Sequence, residues 1–225
     1  MTGQGRQAGR FIVAEGVEGA GKSSCLRQLA ATLEAQGYDV VLTQEPGGTE
    51  EGRALRALLL GDYGRIWSGQ AELLLMTAAR VQHVQRVIAP ALAQGRLVLC
   101  DRFIGSTIAY QGGGRGLPVS SITALHRDFV GDIQPDLTLL FDVDPRIGLA
   151  RSRTRLSGEG VDEGRFEAMD LDFHHRVRRS FLDQAAATPG STAIIDANGD
   201  SASVCSQALA EVMQLLERSH YKSFI

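Results

Sequence analysis

Residues 11–23 read Phe11-Ile12-Val13-Ala14-Glu15-Gly16-Val17-Glu18-Gly19-Ala20-Gly21-Lys22-Ser23. The opening run, FIVAE, has the length and apolar continuity of a strand buried on both faces. Gly16 to Ser23 then fits the pattern G-x-x-x-x-G-K-[ST]. Glycines let successive backbone N–H groups curl around a phosphate, and a helix opening at Lys22 points its positive dipole end at the anion. The lysine adds a point charge for β- and γ-phosphates, and the serine hydroxyl is an oxygen ligand for Mg²⁺. Of the 23 basic residues only Lys22 and Lys222 are lysine, so the match does not follow from an abundance of lysine. Gly16, Val17, Glu18, Gly19, Ala20, Gly21, Lys22, Ser23 and Ser24 are therefore expected to hold a nucleotide.

Outward from this segment, short apolar runs alternate with helical patterns. Further strands are expected at Val40–Gln44, Leu97–Asp101, Leu137–Asp142 and Thr192–Asp196. Helices are expected at Lys22–Gln36, Ala54–Leu60, Ala71–Gln94, Ser120–Val130, from Pro145 onward, Phe166–Ala187 and Ala202–Arg218. Pro90 is placed to kink the long third helix. Gly112–Gly114 reads as a loop or turn, and 156–164, glycine-rich among acidic residues, as a mobile lid loop. This alternation predicts an α/β, three-layer P-loop NTPase fold: a five-stranded parallel sheet flanked by helices, with a lid at about 151–165. One domain is expected over 11–225, after a flexible tail at 1–10. Ligands in such sheets bind at the carboxyl ends of the strands, which singles out Glu15–Ser23, Glu45–Gly48, Asp101-Arg102 and Asp142–Asp144.

Composition narrows the class. The chain has 225 residues, 44% of them hydrophobic, with 23 Lys+Arg against 26 Asp+Glu and a net charge of -3. A core of ordinary size is expected, and no basic stripe for nucleic acid. No apolar run reaches membrane-spanning length, and Met1–Arg10 has no apolar signal core. Cys25, Cys100 and Cys205 stand singly without metal-ligand spacing, which points to a reducing cytoplasm. A guanine-reading Asn/Thr-Lys-x-Asp motif would need a lysine at a position this chain does not supply, which excludes a regulatory GTPase of that type.

Several arginines suit a second anion, since the planar guanidinium grips phosphate in a fork. Arg56 follows the EPGG turn, Arg80 interrupts an apolar stripe one turn after Met76, and Arg102 follows the third strand beside Asp101. Arg151, Arg153 and Arg155 alternate, with Arg165 beyond. Residues two apart do not share a helical face, so these arginines fit a segment that closes over polyphosphate.

The segments EGVEGAGKSS, QEPGGT, AARVQ, DRFIGSTIAYQGGGRG and PDLTLLFDVDP, in this order along residues 11–200, resemble the bacterial thymidylate kinase (dTMP kinase) family. The resemblance implies a homodimer that makes dTDP from dTMP and ATP with Mg²⁺ by direct in-line transfer. It implies that Gly16–Ser23 holds ATP, that Glu18 meets the dTMP sugar hydroxyl and that Pro46 packs beside the sugar. Arg56 and Arg102 would hold the dTMP phosphate, and Arg80 would bond the thymine edge. Thr107 and Gln111 would read the base, and Tyr110 would exclude a ribose 2′-hydroxyl. Ser23 and Asp101 would organise the metal. The P-loop lacks arginine, so the catalytic cations would be Lys22, Arg102 and the lid's Arg155 or Arg151. The chain departs from the family at Met76, where phenylalanine normally stacks on thymine, and at Gln44, where arginine often precedes EPGG. His83, His126, His174 and His175 are expected on the surface or in packing. Two alternatives stay open: a related kinase with another acceptor, such as dUMP or a deoxynucleoside, and a nucleotide-dependent switch ATPase.

Overall fold

Why these strands form where they do is plain from their burial: Phe11 to Ala14, Leu97 to Cys100 and Leu139 to Phe141 are all essentially inaccessible. The structure is a computed structural model that describes residues 9–61, 66–159, 166 and 168–222, the side chains of 155–159 and 219–222 excepted. β1 (Arg10–Glu15), β2 (Val40–Gln44), β3 (Leu97–Asp101), β4 (Leu137–Asp142) and β5 (Thr192–Asp196) form one parallel sheet in the order β2-β3-β1-β4-β5. β1 begins inside the expected tail. Arg10 pairs with Leu97 in the sheet, and its guanidinium donates to Asp136 at 3.0 Å.

Alternate strand residues feed two cores. Ile12, Ala14, Leu97 and Leu99 face α1 (Lys22–Ala35) and the closing helix, while Phe11, Val13, Val98 and Cys100 pack with Val84, Ile88 and Ala91 on the other face. α2 (Glu50–Leu60) starts four residues before Ala54, because Thr49 accepts the Gly52 N–H at 3.0 Å and Glu50 and Glu51 complement the helix dipole.

The expected long helix is three pieces: α3 (Gly69–His83), a π-helical turn (Val84–Ile88) and α4 (Ala89–Ala93). Pro90 has no N–H for the carbonyl four residues back and its ring crowds that carbonyl; the wider turn relieves both. Gly112–Gly114 is not a loop. α5 (Ile104–Thr107) continues into a π-helical turn, Ile108–Gly114, against which α8 (Leu171–Ala187) lies so closely that a Cβ on Gly114 would sit 2.4 Å from Phe173 Cε2. Gly113 and Gly114 permit that approach, while Gly112 faces Val119 and Ile122 instead.

α6 (Val119–Leu125) likewise ends in a π-helical turn, His126–Val130. α7 (Pro145–Glu159) carries the first part of the expected lid as helix, so 156–159, expected in the lid loop, is helical; residues 160–165 lie outside the described residues. α8 starts at Leu171, later than Phe166, because Asp170 caps it through the Phe173 N–H at 2.6 Å. α9 (Ser201–Lys222) closes the chain beside α1.

Candidate active site

The carboxyl ends of β1 and β3 deliver the chemistry. Beyond β1, Gly19 takes φ 68° and passes so near α7 that a Cβ would stand 1.9 Å from the Gly148 carbonyl oxygen. The tight loop turns Lys22 back on itself: Nζ donates to the carbonyls of Gly16 (2.9 Å) and Val17 (2.8 Å). Burial, seconded by the charge of Arg102, lowers its pKa from 10.5 to about 8 against the opposing pull of Asp101, Glu18 and Glu15.

At the end of β3 the Ser23 hydroxyl donates to Asp101 Oδ2, while Asp101 Oδ1 is buried with no partner among the described residues. Arg102 follows in the left-handed region, φ 71°, an uncommon geometry for a side chain of this size. Its backbone N–H donates to Ala14, and its guanidinium reaches Gly16 O and Ser106 Oγ (both 2.9 Å), Tyr110 OH (3.3 Å) and Glu18 Oε1 (3.5 Å). Burial works against its charge, but Tyr110, Glu18, Asp101 and Glu15 outweigh it and hold the guanidinium protonated. The Tyr110 hydroxyl donates to Glu18, and burial pushes this phenol well above its ordinary range.

Glu15 holds this turn in place, a role the sequence did not give it beyond marking its position at the carboxyl end of β1. Its carboxylate accepts the N–H groups of Phe103 (2.9 Å) and Ser106 (3.0 Å) and the Ser106 hydroxyl. Burial raises its pKa, partly offset by these bonds and by Arg102. An acid closing a buried strand at the sheet's carboxyl edge is the signal that could have found it.

A cavity of about 450 Å³ joins these parts. Its walls include every residue expected to hold the acceptor: Glu18, Pro46, Arg56, Met76, Arg80, Arg102, Thr107, Tyr110 and Gln111. Lys22, Ser23, Ser24 and Asp101 complete it on the P-loop side, whereas Gly16 and Val17 lie behind it. Arg56 donates to the Pro46 carbonyl at 3.0 Å. Arg80 is almost wholly buried; it donates to Glu45 (2.7 Å), Phe103 O (3.1 Å) and Thr107 Oγ1 (2.9 Å).

Glu45 bonds His83 Nδ1 at 2.9 Å, and His83 Nε2 meets Thr43 Oγ1 at 2.7 Å. His83 is thus part of the chain that fixes Arg80, a role beyond the packing expected of it. His174, buried on α8, brings Nδ1 within 3.7 Å of Glu18 Oε2 and also borders the site. His126 packs edge-on against Phe103, and His175 is exposed, both in keeping with expectation. Gln111 donates to Glu72 at 3.1 Å, and Glu72 pairs with Arg115 at 2.7 Å.

The alternating arginines part company on α7. Arg151 turns away from the cavity and donates to the carbonyls of Ala197 (2.7 Å), Asn198 (3.0 Å) and Gly199 (3.2 Å), while Arg153 is exposed. The Arg155 side chain and Arg165 lie outside the described residues. The unpartnered Asp101 oxygen next to the Ser23 hydroxyl offers hard oxygen ligands of the kind Mg²⁺ takes when phosphates and water complete its shell, so these residues fit that ion.

A family model described as thymidylate kinase matches residues 14–208. The chain is 56% identical over 211 residues to a thymidylate kinase of Cereibacter sphaeroides, covering 94% of this chain and 97% of that one. A thymidylate kinase of Desulfovibrio desulfuricans is 47% identical over 210 residues, 92% of this chain and 97% of the relative. The crystal structure of thymidylate kinase from Ehrlichia chaffeensis superposes with a TM-score of 0.72 at 34% identity, covering 93% of this chain and 99% of that chain. With a P-loop opening on an arginine-lined cavity and this likeness along nearly its whole length, the chain belongs to the thymidylate kinase family.

Proposed function

We propose that the chain transfers the γ-phosphoryl group of ATP to the 5′-phosphate of dTMP, giving ADP and dTDP. The observation that carries this reading is one cavity that presents Lys22 and Arg102 together beside the P-loop and is also lined by Arg56 and by the buried Arg80 and Gln111. An oxygen of the dTMP phosphate attacks the γ-phosphorus in line as the bond to the β–γ bridging oxygen breaks. That phosphate is already ionised near neutral pH, so no strong general base is needed. Catalysis is positioning and charge stabilisation. Lys22 exchanges its bonds to Gly16 and Val17 for the donor phosphates, and Arg102 with Arg56 aims the acceptor. Ser23 and Asp101 would hold Mg²⁺, which when bound neutralises charge on the β- and γ-phosphates. Arg155 is the lid cation in this reading, since Arg151 is committed to three loop carbonyls.

Glu18 and Tyr110, bonded to each other against Arg102, are assigned to the sugar, with Pro46 beside it; Arg80, Thr107 and Gln111 are assigned to the base. A second reading, a preference for another pyrimidine acceptor such as dUMP, draws on Met76, which gives the base a sulfur contact in place of an aromatic stack. Leu58 on α2, Leu74 on α3 and Phe129 in the turn after α6 expose apolar side chains on neighbouring elements, which supports a homodimer. The three free, buried cysteines suit the cytoplasm. ADP release measured with ATP–Mg²⁺ and, separately, dTMP, dUMP, dCMP, AMP and GMP tests the proposal. Strong release with dTMP alone is expected. Preference for another acceptor overturns the substrate, and silence with every acceptor overturns the kinase reading in favour of a switch ATPase.

A further inference from the structure

A side-chain amide offers a donor on one side and an acceptor on the other, so what Gln111 shows the cavity depends on what holds it. Gln111 is 1% exposed, and its Nε2 donates to Oε1 of Glu72, which is fully buried on α3. A carboxylate only accepts, so the amide nitrogen is held at Glu72 through one of its two N–H groups, and the carbonyl, on the opposite side of the amide, is the acceptor it offers to the cavity that Gln111 lines. Arg115 stands 2.7 Å from the other Glu72 oxygen and balances the buried charge. Arg80, which only donates, is fixed in the same cavity by Glu45, Phe103 O and Thr107.

We propose that Glu72 is a specificity-determining positioning residue: through Gln111 it sets the hydrogen-bond polarity with which the cavity reads a pyrimidine. A fixed acceptor at Gln111 beside a fixed donor at Arg80 matches the N3–H and O4 of a 4-oxopyrimidine. It opposes the bare N3 and the 4-amino group of cytosine, where acceptor would face acceptor and donor would face donor. A buried polar site of this kind discriminates because the wrong ligand leaves its groups unpaired. The inference rests on the reading of the cavity as a dTMP site and names what enforces its base choice.

The test compares kcat/KM for dTMP and for 5-methyl-dCMP, which share methyl group, sugar and phosphate and differ only in the hydrogen-bonding edge. Glu72→Gln keeps the size of the side chain but can donate as well as accept, which frees the Gln111 amide to turn over. The dTMP-over-5-methyl-dCMP ratio is expected to fall by about fivefold or more, through a higher KM for dTMP more than through kcat. A smaller change overturns the inference, because a purely structural Glu72 would lower both substrates together. If Glu72→Gln does not fold, Gln111→Leu carries the test: it removes the oriented amide and must lower the ratio by a similar factor, and an unchanged ratio overturns the inference. Wild-type protein that fails to turn over dTMP overturns the kinase reading itself, a result separate from an active wild type whose variants keep their discrimination.

Discussion

Lys22 titrates in an unusual place, and the consequence is measurable. Burial, with Arg102 adding to it, brings the folded-state pKa from 10.5 down to about 8. Between those values the unfolded chain holds a proton at this position that the folded chain has released, so raising the pH through that window stabilises the fold. At about 1.4 kcal/mol per pH unit, the fall from 10.5 to 8 amounts to about 3 kcal/mol in full. Lys22→Met removes the titration while keeping a side chain of similar length. Urea denaturation of both proteins without nucleotide, between about pH 7 and pH 10, should show the stability of wild type relative to the variant rising by about 2–3 kcal/mol. Other titrating groups are common to both and cancel in the difference. With saturating ATP–Mg²⁺ the phosphates favour the charged lysine, and the rise should shrink. A flat difference without nucleotide refutes the buried, depressed lysine. The same variant should lose turnover, and retained activity would remove Lys22 from the mechanism.

Three further outcomes are expected. Met76→Phe should lower KM for dTMP by roughly three- to tenfold, since an offset aromatic pair is worth about 0.5–1.5 kcal/mol; steady-state kinetics with an unchanged KM would show that residue 76 does not lie against the base. Arg102→Lys keeps the charge but loses the fork that reaches Gly16, Ser106, Tyr110 and Glu18; kcat/KM for dTMP should fall on the order of a hundredfold, and near-wild-type activity would refute the assignment. Gly114→Ala places a methyl group against the Phe173 ring and should cost about 2 kcal/mol or more in urea unfolding; an unchanged midpoint would refute the close approach of α8.

The strands were legible because each is a short, largely apolar run flanked by turn residues, and in β1, β3 and β4 burial on both faces leaves no competing pattern to confuse it. The π-helical turns were not, since an α-helical stripe and one interrupted by a wider turn look alike over a few residues. Gly112–Gly114 misled for a related reason: glycine signals loops on average, whereas at Gly113 and Gly114 its cause is a helix more than fifty residues later in the chain, carrying Ser180 and Phe173 onto that backbone. Site residues inside local motifs, such as Lys22, Ser23 and Arg102, could be named from sequence. Glu72 and the part played by His83 could not, and Glu15 and Glu45 were marked only by their place at strand ends, because each acts through partners on distant segments; Glu15 and Ser106 are 91 positions apart. Alternating arginines diverge on a helix, and on α7 that divergence leaves Arg153 exposed while Arg151 reaches the β5–α9 loop.

The carbonyl oxygen of Gly16 accepts from both Lys22 and Arg102, each at 2.9 Å. One neutral atom thus tethers the cation proposed for the donor to the cation proposed for the acceptor, although their charges repel. Lys22 spends two of its three N–H donors on these loop carbonyls and Arg102 is bonded on both terminal nitrogens, so an anion arriving here competes with hydrogen bonds already made, and binding is in part an exchange of ligands around fixed charges. Small inorganic anions gain little from such an exchange, because they offer few contacts beyond the one they replace. A nucleotide brings a base and sugar whose contacts bias the trade. An inhibitor built on phosphate mimicry alone would therefore bind this site poorly, and one that spans both cations would release both tethers at once.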